Sequence, residues 1–203
     1  MMSHPKPTDS PTEIFRQHGG QLRMSEAIVS GISRYSLYKL RDTGVIEQVS
    51  RGIYRLVELP PISQSDLVTV SLRFPKAVIC LVSAPSFHDM TTQIPHEIAV
   101  AVPRTMRMPS LTSPPVHAYK FSADAFNAGI EVHQIDGVRV HVYSPEKTLA
   151  DCFKYRNKLG MDLVLESPKL YKTRNEFRPE MLLKCAIICR VEKMMTPYLE
   201  VLV

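Results

Sequence analysis

The chain has 203 residues, of which 44% are hydrophobic and 22% charged, with a net charge of +5 and a pI near 9.0. At roughly 150 residues per domain that means one large domain or two small ones, with enough apolar side chains to bury a core without disulfides. No apolar run approaches the length of a membrane span, and the start MMSHPKPTDSP lacks the basic-then-apolar pattern of a secretory signal; the four cysteines, without a CxxC pair, read as reduced thiols of a soluble cytoplasmic protein.

Residues 1–11, with three prolines, read as a flexible leader. A short helix is expected over Thr12–His18, stopped by Gly19-Gly20, and a second over Leu22–Gly31 with Ser25 as N-cap. Ser33 caps a third helix, Arg34–Thr43, closed by Gly44. Val45–Val49 and Ile53–Val57 flank Ser50-Arg51-Gly52 as a β-hairpin. Two helices about a glycine turn, followed by a hairpin, make a winged helix-turn-helix over residues 12–59. Pro60-Pro61-Ile62-Ser63 marks a boundary.

Beyond it, helix is expected over Asp66–Arg73 and Ser83–Met90, and strands over Ala77–Val82 and Glu97–Val102. Arg104–Pro115 reads as a proline-rich loop or sheet edge. Strands follow at Val116–Phe121, Ile130–Ile135 and Val138–Tyr143, the last two joined by Asp136-Gly137. Ser144-Pro145-Glu146 opens a helix running to Leu159, and two more are expected, from Arg178 to Arg190 and over Met194–Val203. The expected fold is α+β: an N-terminal winged helix followed by a mixed α/β C-terminal domain, residues 60–203.

Charge acquires meaning only by position. Residues 1–60 carry net +2, 61–146 net −1 and 147–203 net +4. On the third helix, Leu37 and Leu40 share an apolar face expected to pack on Leu22, Ala27 and Ile28, while Arg34, Ser36, Tyr38, Lys39 and Arg41 face away. A helix fits the major groove, where Arg34 suits a bidentate contact to guanine and Lys39 and Arg41 suit phosphates. Arg51 at the hairpin tip is placed where a wing meets phosphate or minor groove. The alternative is a solvated basic helix in a protein-docking module.

Enzymatic and metal constellations are thin. Seven histidines form no HxxxH or HExxH arrangement; no ExK, GxSxG or phosphate-binding glycine loop occurs. No catalytic residue, metal or cofactor is assigned. The helix from Ser144 carries Lys147, Lys154, Arg156 and Lys158, read as its polar face. That face is either a solvated surface or a basic surface for nucleic acid or an acidic partner.

Two stretches, GISRYSLYKLRDTGVIEQVSRGIYRL (Gly31–Leu56) and VYSPEKTLADCFKYRNKLGMD (Val142–Asp162), resemble the AbiEi family of abortive-infection antitoxins, the resemblance running from about residue 12 to the C-terminus. It implies a non-enzymatic bacterial antitoxin of a type IV toxin–antitoxin system. The winged helix of such a protein binds inverted repeats in double-stranded DNA of its own promoter and represses it. Its C-terminal domain neutralises a nucleotidyltransferase-like toxin without forming a stable complex. By position, Ser33, Arg34, Tyr35, Ser36, Tyr38, Lys39, Arg41 and Arg51 become the DNA-contact candidates. An orphan winged-helix regulator whose C-terminal domain binds another partner or ligand is the rival reading.

Overall fold

The computed structural model describes residues 10–60, 64–173 and 178–202. Residues 1–9 of the leader read over residues 1–11, the boundary residues 61–63 and the end of the last expected helix at Val203 lie outside the described residues, and Pro11, read as leader, belongs to the first helix. The chain divides into two compact units. One comprises the described residues up to Arg73 together with Gln134–Arg139; the other comprises Phe74–His133 and Val140 onward.

In the first unit, α1 (Pro11–Gln17) begins at Ser10, whose hydroxyl accepts from the Glu13 amide at 3.3 Å, with Pro11 in the first turn where its missing N–H is not needed. Next comes β1 (Gln21–Arg23), a strand in place of the expected start of the second helix. Accordingly α2 is shorter than expected (Met24–Val29) and Ser25 is not its cap. The capping residue is Arg23, whose amide donates to the Glu26 carboxylate at 3.0 Å. Then follow α3 (Arg34–Asp42), β2 (Ile46–Ser50) and β3 (Ile53–Leu56). The sheet runs β1-β3-β2, antiparallel throughout, with Leu22 opposite Tyr54, Gln48 opposite Tyr54 on the other side, and a bulge between Gln48 and Ser50.

Its core is Phe15, Leu22, Ala27, Ile32, Leu37, Ile46, Tyr54 and Leu56, with Leu40 half-buried against it. Leu37, Leu22 and Ala27 face inward as expected. Ile28 does not: it is exposed. Beyond the boundary read at residues 60–63, α4 (Ser65–Arg73) belongs to this first unit.

The Asp136-Gly137 turn also belongs here. A Cβ on Gly137 (φ +79°) would lie 2.9 Å from the Gly19 carbonyl oxygen. Gly44 also has a positive φ, +72°, but open space where a Cβ would point. Gly44→Ala is therefore expected to cost about 1–2 kcal/mol for the left-handed backbone, and Gly137→Ala clearly more. Thermal denaturation of both variants tests this; equal shifts would remove the close approach as a cause.

In the second unit the sheet order is β6-β5-β4-β8-β7. Two-residue β4 (Val78–Ile79), shorter than the expected strand, pairs antiparallel with β5 (Ile98–Pro103) and parallel with β8 (Val138–Tyr143); β6 (Val116–Phe121) runs parallel to β5, and β7 (Ile130–Ile135) neighbours β8. Short α5 (Ser83–Phe87) and α6 (Ala123–Asn127) join strands. The helix expected over Ser144–Leu159 breaks at Tyr155 into α7 (Pro145–Lys154) and α8 (Arg156–Leu159). Then come α9 (Met161–Lys172), α10 (Pro179–Cys189) and α11 (Glu192–Leu202). Leu149, Phe153, Leu163, Tyr171, Leu182 and Met195 meet in one apolar cluster of this helical layer. Among the described residues, no helix is long and apolar enough to cross a membrane.

Candidate nucleic-acid interface

The exposed face of α3 and the β2–β3 turn carry the expected DNA-contact residues. Ser33 is the N-cap: its Oγ accepts from the Ser36 amide at 3.0 Å and lies 2.9 Å from the Ser36 Oγ. The two hydroxyls are thus engaged with each other and with the helix start. Arg34, Lys39 and Arg51 are exposed and have no carboxylate partner among the described residues. Tyr35 is 76% exposed, although tyrosine usually buries its ring; Tyr38 is 40% exposed. Arg41 differs from its neighbours. Its guanidinium donates to Asp42 at 2.8 and 3.0 Å and sits 5.0 Å from the Tyr38 ring centre, so its charge is partly neutralised before any ligand arrives.

A division among the arginines of this unit follows. Arg16 is held by Glu58 and Glu13, Arg41 by Asp42, and Arg55, almost fully buried, by Glu47 at 3.2 Å and by the Pro60 carbonyl. Among the described residues, Arg34 and Arg51 have no such partner. The cations without carboxylate partners among the described residues thus lie at the first residue of α3 (Arg34), in its last turn (Lys39) and at the hairpin tip (Arg51).

The C-terminal candidates separate sharply. Lys154 and Lys158 are exposed, and Arg156 is half-buried with its guanidinium donating to the Phe153 carbonyl at 3.3 Å. Lys147 is not on a surface at all. Its side chain is 0% exposed, ion-paired to the equally buried Asp151, with its ammonium 4.1 Å from the Tyr143 ring centre and 4.9 Å from that of Phe121. Every residue from Glu146 to Phe153 is buried, so within α7 Lys154 is the exposed charge and the expectation for Lys147 is corrected. What marked it was the Lys147–Asp151 spacing of four, which lets the two charges meet on one helix side inside a core.

The same helix holds a second buried carboxylate. Glu146 accepts from the Tyr171 hydroxyl at 2.7 Å and from Arg178 Nε at 2.8 Å. Burial pushes this carboxyl up, but the Tyr171 hydroxyl, its own backbone amide, Ser144 and the Arg178 guanidinium outweigh it, and Glu146 sits below the usual carboxylate range. A carboxylate lowered in the folded state stabilises above its unfolded value and loses that contribution as pH falls through its folded value. Glu146→Gln is therefore expected to lower stability at neutral pH and to flatten its decline in acid. Melting temperature against pH tests this; an unchanged acid limb would remove Glu146 from that decline.

The four cysteines are all buried, and burial pushes the Cys185 thiol up to about 11 and that of Cys189 to about 12. At neutral pH both are protonated and poor nucleophiles.

The first unit thus defines a winged helix-turn-helix, a class of DNA-binding module. Residues 9–57 match the AbiEi_4 family, described as a transcriptional regulator, AbiEi antitoxin. The match falls on the segment whose residues carry the resemblance over Gly31–Leu56, and it supports the role of a DNA-binding regulator. Among solved structures, the RV2827C protein from Mycobacterium tuberculosis is similar at 14% identity and a TM-score of 0.48, over 90% of this chain and 75% of that one. No curated protein matches the chain.

Proposed function

We propose that the chain is a DNA-binding antitoxin and autorepressor of a type IV toxin–antitoxin system for phage defence, acting in the cytoplasm and without catalytic activity. In this reading residues 12–59 bind inverted repeats in the promoter of the chain's own gene, and residues 60–203 neutralise a nucleotidyltransferase-like toxin without a stable complex. The observation that carries it is the set of exposed cations without carboxylate partners, Arg34, Lys39 and Arg51, on a helix and wing inside the segment that matches the regulator family. Arg34 and Tyr35 face the base edges, Lys39 and Arg51 the phosphates; Ser33, Ser36, Tyr38 and Arg41 hold the helix start and its outer face in shape. Lys154, Arg156 and Lys158 are the proposed working surface of the C-terminal domain.

The test is binding of the full chain to the fragment upstream of its gene, with Arg34→Ala/Lys39→Ala as the comparison. Co-expression with the neighbouring gene product, read as growth, separates the antitoxin from an orphan regulator.

A further inference from the structure

Arg23, Arg34 and Arg73 line a cleft of about 580 Å³ in the first unit, floored by Ile28 and Ile53 and edged by the wing residue Gly52. Three elements distant in sequence bring these arginines to one cleft: the β1–α2 junction, the start of α3 and the last turn of α4. Two features set this cleft apart from an ordinary solvated basic patch. Among the described residues, neither Arg34 nor Arg73 has a carboxylate partner, whereas Arg16, Arg41 and Arg55 of the same unit all do. In addition, Arg23 forms a long ion pair with Glu26, Nε to Oε1 4.0 Å, and its buried Nε has no hydrogen-bond partner among the described residues. A buried donor left without an acceptor is costly, and a guanidinium is the group that holds an anionic oxygen most directionally.

The geometry points to a phosphate clamp: Arg23 and Arg73 grip the sugar–phosphate backbone of a DNA duplex in this cleft, with Arg34 at its border turned to the bases. The assignment rests on the regulator reading above and adds to it a contact, Arg73, that lies outside the winged-helix segment. The volume admits a phosphodiester with its flanking sugars, and the apolar floor suits the sugar faces. A contact of this kind adds affinity and salt dependence without adding sequence preference.

The experiment measures affinity of the full chain for the upstream fragment and for an unrelated duplex of equal length, at 50 and 200 mM salt. Each phosphate contact contributes about 0.9 to the slope of log affinity against log salt, roughly 3.5-fold over that range. Arg73→Ala is expected to flatten the slope by about 0.9 on both duplexes and to leave their affinity ratio unchanged; Arg23→Ala/Arg73→Ala should flatten it by about 1.8. Arg73→Lys, which keeps the charge, should keep the slope. Arg23 is partly buried, so if the double variant melts early, Arg73→Ala alone decides.

An unchanged slope for Arg73→Ala, with a reduced one for Arg34→Ala/Lys39→Ala, overturns the clamp and leaves the regulator reading standing. No salt-dependent binding of the wild type to either duplex overturns both. Saturable binding of pyrophosphate without DNA, lost in Arg73→Ala while the DNA slope stays unchanged, assigns the cleft to a free phosphate ligand and also overturns the clamp.

Discussion

Lys147→Ala is expected to destabilise the second unit by about 3–5 kcal/mol at neutral pH, because removing one partner of a buried ion pair leaves the other charge uncompensated. Among the described residues, Asp151 would keep a hydrogen bond from the Cys189 thiol, whose sulfur is 3.4 Å from its carboxylate, and the weaker pull of Lys154. Burial already pushes the Asp151 carboxyl up, opposed by Lys147. Without the ammonium it rises further, so the folded state binds a proton more tightly than the unfolded one and stability falls as pH rises through that value. The gap in stability between variant and wild type should therefore narrow on acidification, since both keep the lowered Glu146 and only the Asp151 contribution differs. Lys147→Met/Asp151→Leu, which removes both charges, should recover most of the loss. Denaturant unfolding across pH measures all three. A cost below about 1 kcal/mol for Lys147→Ala would mean that the pair does not hold the core as argued.

The second large effect concerns DNA. A bidentate arginine–guanine contact discriminates by about 1–3 kcal/mol, or roughly 5- to 150-fold, and a lysine–phosphate contact contributes about 0.9 to the salt slope. Arg34→Ala/Lys39→Ala is thus expected to lower affinity for the upstream fragment by at least tenfold, to reduce its preference over unrelated DNA, and to flatten the salt dependence. Both side chains are exposed and pair with no carboxylate among the described residues, so the fold should survive, and circular dichroism checks that. Unchanged affinity and slope would remove α3 as the reading helix.

The winged helix was legible in the sequence because local signals agree there. Ser33 caps, Gly44 and Gly52 turn, Leu37 is buried among exposed cations at helical spacing, and Ile46 is buried beside exposed Glu47 and Gln48. Its third strand was not legible. Gln21–Arg23 is too short to show an alternation, and it is a strand only because β3 supplies the ladder. In the second unit α9 escaped notice because Pro168 reads as a breaker; in the structure it sits buried within the helix, where packing offsets one lost backbone bond. Lys147 escaped because charge on a helix normally means water, and only the tertiary surroundings of Tyr143 and Phe121 convert it into core. Arg23 and Arg73 escaped because a cleft assembled from separate elements has no local pattern.

Arg55 sets the mechanical character of the wing. Its guanidinium ties β3 to Glu47 on the neighbouring strand and to the Pro60 carbonyl beyond the strand's end. The hairpin is therefore braced on both flanks and shaped before any duplex approaches. Ordering on association then falls on the Arg51 side chain rather than on a loop, and the entropy lost is that of a few rotamers. A wing braced in this way favours DNA whose groove already suits its fixed reach over DNA that must be bent to meet it, so the intrinsic shape of the duplex becomes part of the recognition.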